Sequence, residues 1–193
     1  MHTLASALYS EAILGYYELK FGDVVRLASD LMELSTRHNF VYWLARGIVF
    51  RGWARSALGE TAEGVAWIEQ GIKDLWASGL TLDTPSLIAF KAEALYLADG
   101  TSEALEVIRE AEAMAKRSEE RFWCAELHRL RGVFLAAMGA DETQIEASYC
   151  EAIRIAKEQK SISLATRAEA SYAEYRRQKA NTTERGGFRL PLW

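Results

Sequence analysis

Apolar residues along this chain recur at spacings of three and four, and no stretch sustains the alternation of a half-buried strand. The pattern breaks into segments that predict helices over 4–20, 23–38, 40–58, 61–78, 85–98, 102–117, 119–138, 142–158 and 163–179. The gaps between them are short, so neighbouring helices must run antiparallel, as four hairpins followed by a closing helix. The predicted fold class is therefore all-α, with about nine helices and no β-sheet. Two local signals agree with the boundaries. Thr84-Pro85 reads as a helix cap followed by proline in the first turn, and Asp141 with Gln144 has the spacing of a capping box.

The hairpins also repeat. Glycines separated by six intervening residues occur as Gly15/Gly22, Gly52/Gly59 and Gly132/Gly139, and a fourth copy keeps only its second member as Glu93/Gly100. First members are 37, 41 and 39 residues apart, a period that signals stacked supersecondary units. Trp43 to Gly59 and Trp123 to Gly139 share Trp, Ala, Arg-Gly and Gly at identical offsets. A glycine inside a helix costs about 1 kcal/mol relative to alanine, so the first member predicts close approach of another helix. The second is expected to end that helix in a left-handed cap. Beyond it, Leu27/Leu31/Leu34, Gly64/Ile68/Gly71, Ala104/Ile108/Ala111 and Ile145/Tyr149/Ala152 place one apolar face on each second helix.

These features resemble the tetratricopeptide (TPR) repeat, which has a mid-helix glycine, a glycine at the helix end and a small-large-small triplet on its second helix. Leu14-Gly15, Arg51-Gly52 and Arg131-Gly132 carry the likeness. The repeats are longer than the usual ~34 residues, the repeat-ending proline is mostly missing, and Glu93 replaces one glycine. The resemblance implies a divergent right-handed α-solenoid over residues 1–179, with residues 180–193 as a flexible tail ending in apolar residues. More narrowly, Arg121 to Arg167 and the tail GGFRLPLW resemble the C-terminal repeat region of bacterial adenylate- or guanylate-cyclase-like and ATPase-type multidomain regulators. That likeness implies the non-catalytic end of a larger signalling protein.

Composition narrows the functions. With a net charge of −4 and no Lys/Arg block, the chain has no general attraction for phosphate backbones, so nucleic acid is not an expected partner. No leader-like segment or run of 18 apolar residues occurs, so neither secretion nor membrane insertion is expected, and the expected compartment is the cytoplasm. Cys124 and Cys150 form no CxxC pair and read as reduced, partly buried thiols. His2, His38 and His128 lack ligand spacing, Glu126 and His128 face different ways on a helix, and no metal or cofactor is expected. The glycines lack the lysine of a P-loop, and no nucleophile has a recognisable base, so no catalytic residue is assigned.

The expected function is protein interaction, with a protein or peptide as partner, including domains of the same parent. A peptide or small-molecule sensor is the alternative within binding modules, and an undetected helical enzyme is the rival class. By analogy with TPR arrays, first helices line a concave groove, which implies Tyr16, Arg46, Trp53, Glu126, Arg129 and Arg167 as its partner-binding residues. Trp43 and Trp123, at equivalent repeat positions, read as packing residues. Apolar residues around much of the first helix, from Leu4 to Phe21, suggest self-association or a preceding repeat. Phe188, Leu190, Leu192 and Trp193 suggest a tail that docks, in cis or in trans.

Overall fold

The computed structural model describes residues 1–181 and 190–192. Among them every regular element is an α-helix: α1 His2–Tyr17, α2 Phe21–His38, α3 Val41–Ala57, α4 Thr61–Ala77, α5 Thr84–Leu97, α6 Thr101–Ser118, α7 Cys124–Ala137, α8 Glu142–Glu158 and α9 Ile162–Asn181. The largest departure from the sequence expectation is at the start of α7. Glu119 turns left-handed at φ 58° and ends α6, and Cys124 N–H bonds Arg121 C=O, so residues 119–123 form a turn. Trp123 thus lies just before its helix, buried, whereas Trp43 lies inside α3 and is half-buried.

The chain divides into two compact units, Met1–Asp99 and Gly100–Trp193. In the first, α3 packs against α1, α2, α4 and α5. In the second, α7 packs against α6, α8 and α9. A helix with neighbours on most sides has to be apolar around most of its circumference. Ala45, Val49, Phe50, Trp53 and Ala54 of α3, and Leu127, Leu130, Val133 and Phe134 of α7, are accordingly buried. By contrast, α2 and α6 bury one stripe each, Val24/Leu27/Ala28/Leu31 and Ala104/Leu105/Ile108/Ala111, and turn their charged faces outward.

Each connection contains a left-handed residue: Leu19, Asn39, Gly59, Gly79, Asp99, Glu119, Gly139 or Lys160. At the end of α3 the N–H groups of Gly59 and Glu60 bond the carbonyls of Ser56 and Arg55, and at the end of α7 those of Gly139 and Ala140 bond Ala136 and Leu135. This paired pattern satisfies orphan carbonyls and reverses the chain within a few residues.

Here the glycine register needs correcting in two places. Gly22 lies inside α2 and Gly100 is the N-cap of α6, with φ −84°, so neither is the left-handed cap. That position is filled by Leu19 and Asp99. Counted from them, the counterparts of Gly52 and Gly132 are Ala12 and Ala92, both buried. The matching face of α2 is then Val24/Ala28/Leu31, all buried, whereas Leu34 is half-buried. In α1 the close approach to α2 is made at Gly15, where a Cβ would lie 2.8 Å from Val24, while alanine holds the register position, which is why a search on glycine mistakes this register. The N-caps shift as well. Asp83, not Thr84, precedes α5, and the Asp141 carboxylate accepts from Thr143 N–H, not from Gln144.

The Arg-Gly pairs have a shared explanation. A Cβ on Gly52 would lie 2.7 Å from the Gly64 carbonyl oxygen and 2.9 Å from Ile68, so α3 and α4 meet backbone to backbone. On Gly132 it would lie 3.0 Å from the Tyr149 ring of α8. The preceding arginine reaches to the same second helix each time. Arg51 stacks on Trp67, 3.9 Å from the ring centroid, and Arg131 Nε donates to Ser148 Oγ at 3.0 Å.

Gly52→Leu therefore destabilises by about 3 kcal/mol, because backbone cannot yield, and Gly132→Leu by about 1–3 kcal/mol, because a tyrosine ring can shift. Gly22→Ala, with open space and a helical φ, stabilises by up to about 1 kcal/mol. Denaturant melts check the order; equal effects at all three positions contradict the packing described.

Candidate functional site

The first unit contains a buried polar cluster on three alternate helices. Glu93 of α5 has no exposure to solvent, and its two carboxylate oxygens accept separately: Oε1 from Tyr16 Oη of α1 at 2.9 Å, Oε2 from Trp53 Nε1 of α3 at 2.8 Å. Tyr16 and Trp53 belong in turn to a ring cluster with Phe50 and Phe90, with ring centroids 4.8–5.8 Å apart for the contacting pairs. By the repeat spacing alone, Glu93 stands where a glycine is expected. Its signal was a single acid in LIAFKAEALYL, a stretch too apolar to face water.

A second cluster centres on Arg46 of α3. Its guanidinium donates to Tyr9 Oη at 2.7 Å, Asp83 Oδ2 at 2.8 Å and the Leu82 carbonyl at 3.0 Å, and lies 4.5 Å from the Tyr42 ring centroid. Burial opposes the Arg46 charge, but Tyr9 and Asp83 outweigh it and hold the group protonated. Burial pushes the Tyr9 phenol far above its ordinary value, against the opposing pull of Arg46. Asp83 leaves the N–H groups of α5 uncapped by its side chain and spends its carboxylate on Arg46.

In the second unit Glu126 and Arg129, one helical turn apart on α7, pair through two bonds of 2.7 and 3.0 Å. Arg167 of α9 approaches the same carboxylate at 3.3 Å, and Arg129 also donates to Ser171 of α9 at 3.1 Å. The six groove residues expected from sequence thus fall into three clusters: Tyr16 with Trp53, Arg46 apart from them, and Glu126 with Arg129 and Arg167. As a groove lining they need correction. Tyr16, Arg46, Trp53, Glu126 and Arg129 are at most 1% exposed and join helices inside the two units. Only Arg167, half-buried, has surface to offer. Buried charges persist in such places because they are paired and hydrogen-bonded.

Open chemistry lies elsewhere in the second unit. A pocket of about 620 Å³ is bounded by Glu112 and Lys116 of α6, Arg121 of the turn that follows, Cys124 and His128 of α7, and Arg154 of α8. His128 Nδ1 lies 3.3 Å from Glu112 Oε1, and Arg131 bonds the other oxygen of that carboxylate at 3.1 Å. Burial lowers the His128 pKa; Arg131 and Arg154 act in the same direction, and Glu112 and Glu151 oppose them. Burial raises the Cys124 thiol, which keeps it protonated and a poor nucleophile. Cys150 is exposed, not partly buried as expected, because it falls on the outer face of α8.

The chain's end is the other feature. Leu190 and Leu192 are each 2% exposed and Pro191 between them is exposed, the alternation of an extended segment lying on a surface. Together with Val133 of α7 and Arg167, Ala170, Ser171 and Glu174 of α9, Leu190 and Pro191 wall an open slot of about 270 Å³. Phe188 and Trp193 lie outside the described residues. On α1, Leu4 and Leu14 are exposed, whereas Ala5, Ala12 and Tyr16 face the interior.

Among the described residues no helix is long and apolar enough to cross a membrane, and no cluster of three or more His, Cys, Asp or Glu side chains could hold a metal ion. No family model matches the chain, and no solved structure matches it. The chain is 28% identical over 173 residues to an uncharacterized protein of Rhizobium meliloti (strain 1021). The match covers 90% of this chain but spans 17% of that relative's length.

Two predictions follow from the buried groups. Glu93→Gln replaces one acceptor by an NH2 group facing a donor, and stability falls by about 1–3 kcal/mol, read from thermal melts with near-ultraviolet dichroism reporting Trp53. A His128 pKa below its unfolded value means that the unfolded chain takes up the proton first. The stabilisation is full above about pH 6.5 and is lost as pH falls through the lower folded value. The melting temperature should therefore drop less between pH 7 and pH 5 in His128→Gln than in wild type; parallel pH profiles contradict this.

Proposed function

We propose that the chain is a TPR-like helical-repeat module, a right-handed α-solenoid, that serves as the non-catalytic interaction and regulatory part of a larger cyclase-like or ATPase-type signalling protein. The observation that carries this reading is the packing order. Within the first unit α1 meets α2 and α3, α3 meets α4 and α5; within the second, α7 meets α8 and α9. Contacts to the next helix and the next but one are what stacked antiparallel hairpins produce, because no hairpin buries its apolar face alone. The small share of the Rhizobium meliloti protein that the match spans is in keeping with a module inside a longer chain. The side-chain chemistry favours binding over catalysis: Glu93 and Glu126 are closed off from solvent and engaged by donors, and the Cys124 thiol is held protonated. Partners on this reading are proteins or peptides, including domains of the same parent.

Small-molecule sensing is a second reading, favoured by the 620 Å³ pocket with its mixed apolar, His and Arg lining.

The test is to express the longer protein that carries this region with and without residues 1–193, and to titrate the separate chain into the remainder. Binding together with an altered nucleotide turnover is expected. Unchanged turnover with no binding overturns the regulatory role, and cyclase or ATPase turnover by the isolated chain overturns the non-catalytic one.

A further inference from the structure

We infer that the pocket walled by α6, α7 and α8 binds a small organic acid, its apolar body against Leu127 and Ile155 and its carboxylate held at the mouth by Lys116 and Arg121. This names a ligand class for the small-molecule reading above and rests on that reading. Three observations support it. The first is the state of the charged groups. Among the described residues, neither the Lys116 ammonium nor the Arg121 guanidinium has a hydrogen bond or an ion pair, although both border the cavity. Two of the three acids beside them are already engaged: Glu112 is held by Arg131 and faces His128, and Glu158 pairs with Arg154. Glu119 alone of the lining carboxylates has no cation among the described residues, so the free groups at the mouth are two cations against one anion.

The second observation is placement. The Arg121 carbonyl accepts from Cys124 N–H at 3.1 Å and from Gln159 Nε2 at 2.5 Å, so the turn that carries this arginine is tied to the start of α7 and to the end of α8. Burial raises the Cys124 thiol and the Arg121 charge pulls it back, which sets the guanidinium close to the cavity wall. The third is shape. Three helices enclose about 620 Å³, within the ~300–1,000 Å³ of small-molecule sites, and Ala115, Leu127 and Ile155 give the cavity an apolar side. An apolar body placed there leaves water, and a carboxylate at the mouth meets charged donors that need not be taken from another partner. Such a ligand touches α6, the turn after it and α8 together. Because only the folded unit offers this cavity, occupancy stabilises it and fixes these elements relative to one another, which is the action expected of an effector.

The probe is octanoate, with octanol and octylamine as neutral and cationic molecules of the same chain length. In a Cys150→Ser chain Cys124 is the single thiol, and its alkylation by iodoacetamide reports on the cavity that it lines. Saturating octanoate should slow that alkylation at least fivefold and raise the melting temperature, while octanol and octylamine at the same concentration do neither. K116S/R121S, changed at exposed positions that spare the core, should weaken octanoate at least tenfold; Arg117→Ser, exposed but outside the pocket, should leave it unchanged. An alkylation rate unmoved by octanoate up to millimolar concentrations overturns the proposal, and so does wild-type affinity in K116S/R121S. Equal protection by octylamine or octanol overturns the acid as ligand and leaves small-molecule sensing standing. Protection by none of the three compounds removes the pocket's support for that reading as well. Neither result bears on the turnover test of the longer protein.

Discussion

A carboxylate sealed from water has to be met by donors, and in the first unit that requirement sets the relation of three helices. Glu93 on α5 can be satisfied only while Tyr16 on α1 and Trp53 on α3 stand at hydrogen-bond distance on either side. Aromatic rings exclude solvent around it, which makes each bond stronger and each lost bond more costly. A slide of any one helix by a single residue rotates its side chain by about 100° and leaves a buried donor or acceptor unpaired. The apolar contacts supply most of the burial energy, but they tolerate shifts that this cluster does not. Arg46 adds a second constraint by tying α3 to the turn before α5 through Asp83 and Leu82.

The second unit solves the same problem differently. Glu126 and Arg129 satisfy each other within one turn of α7, so their bidentate pair would exist in an isolated helix. What joins it to α9 is the approach of Arg167 and the bond to Ser171. The α8 contact is looser in kind, with Tyr149 against Gly132 and stacked on Tyr172 at 5.4 Å. Rings can slip where backbone cannot, in contrast to the Gly52–Gly64 contact of α3 and α4.

In both units the buried polar residues join helices, and the open cavities lie on the faces. The pocket around His128 and the slot beside Leu190 both draw on α7, one on the α6 and α8 side and one on the α9 side. A helix held on several sides presents both at fixed geometry, which suits binding by preorganised surfaces.

Helix existence and the approximate extent of most helices could be read from the chain because they depend on local physics. Period-3.6 patterning, short gaps and left-handed caps at Gly59 and Gly139 act over a few residues. The close approach at Gly52 and Gly132 was legible for the same reason, since an internal glycine has no other local benefit. Where alanine, leucine or aspartate stood in for glycine, as at Ala12, Leu19, Ala92 and Asp99, the register was lost, because the glycine that marks the position in sequence was absent. Which charged residues face water was not local at all. Arg46, Glu126 and Arg129 looked like groove residues until Asp83, Tyr9 and Ser171, distant in sequence, closed over them. Glu93 looked like a defect until Tyr16 and Trp53 arrived from two other helices. The chain by itself determined the helices and their order; only tertiary packing decided which polar groups become interior, because that depends on partners 36 to 77 residues away.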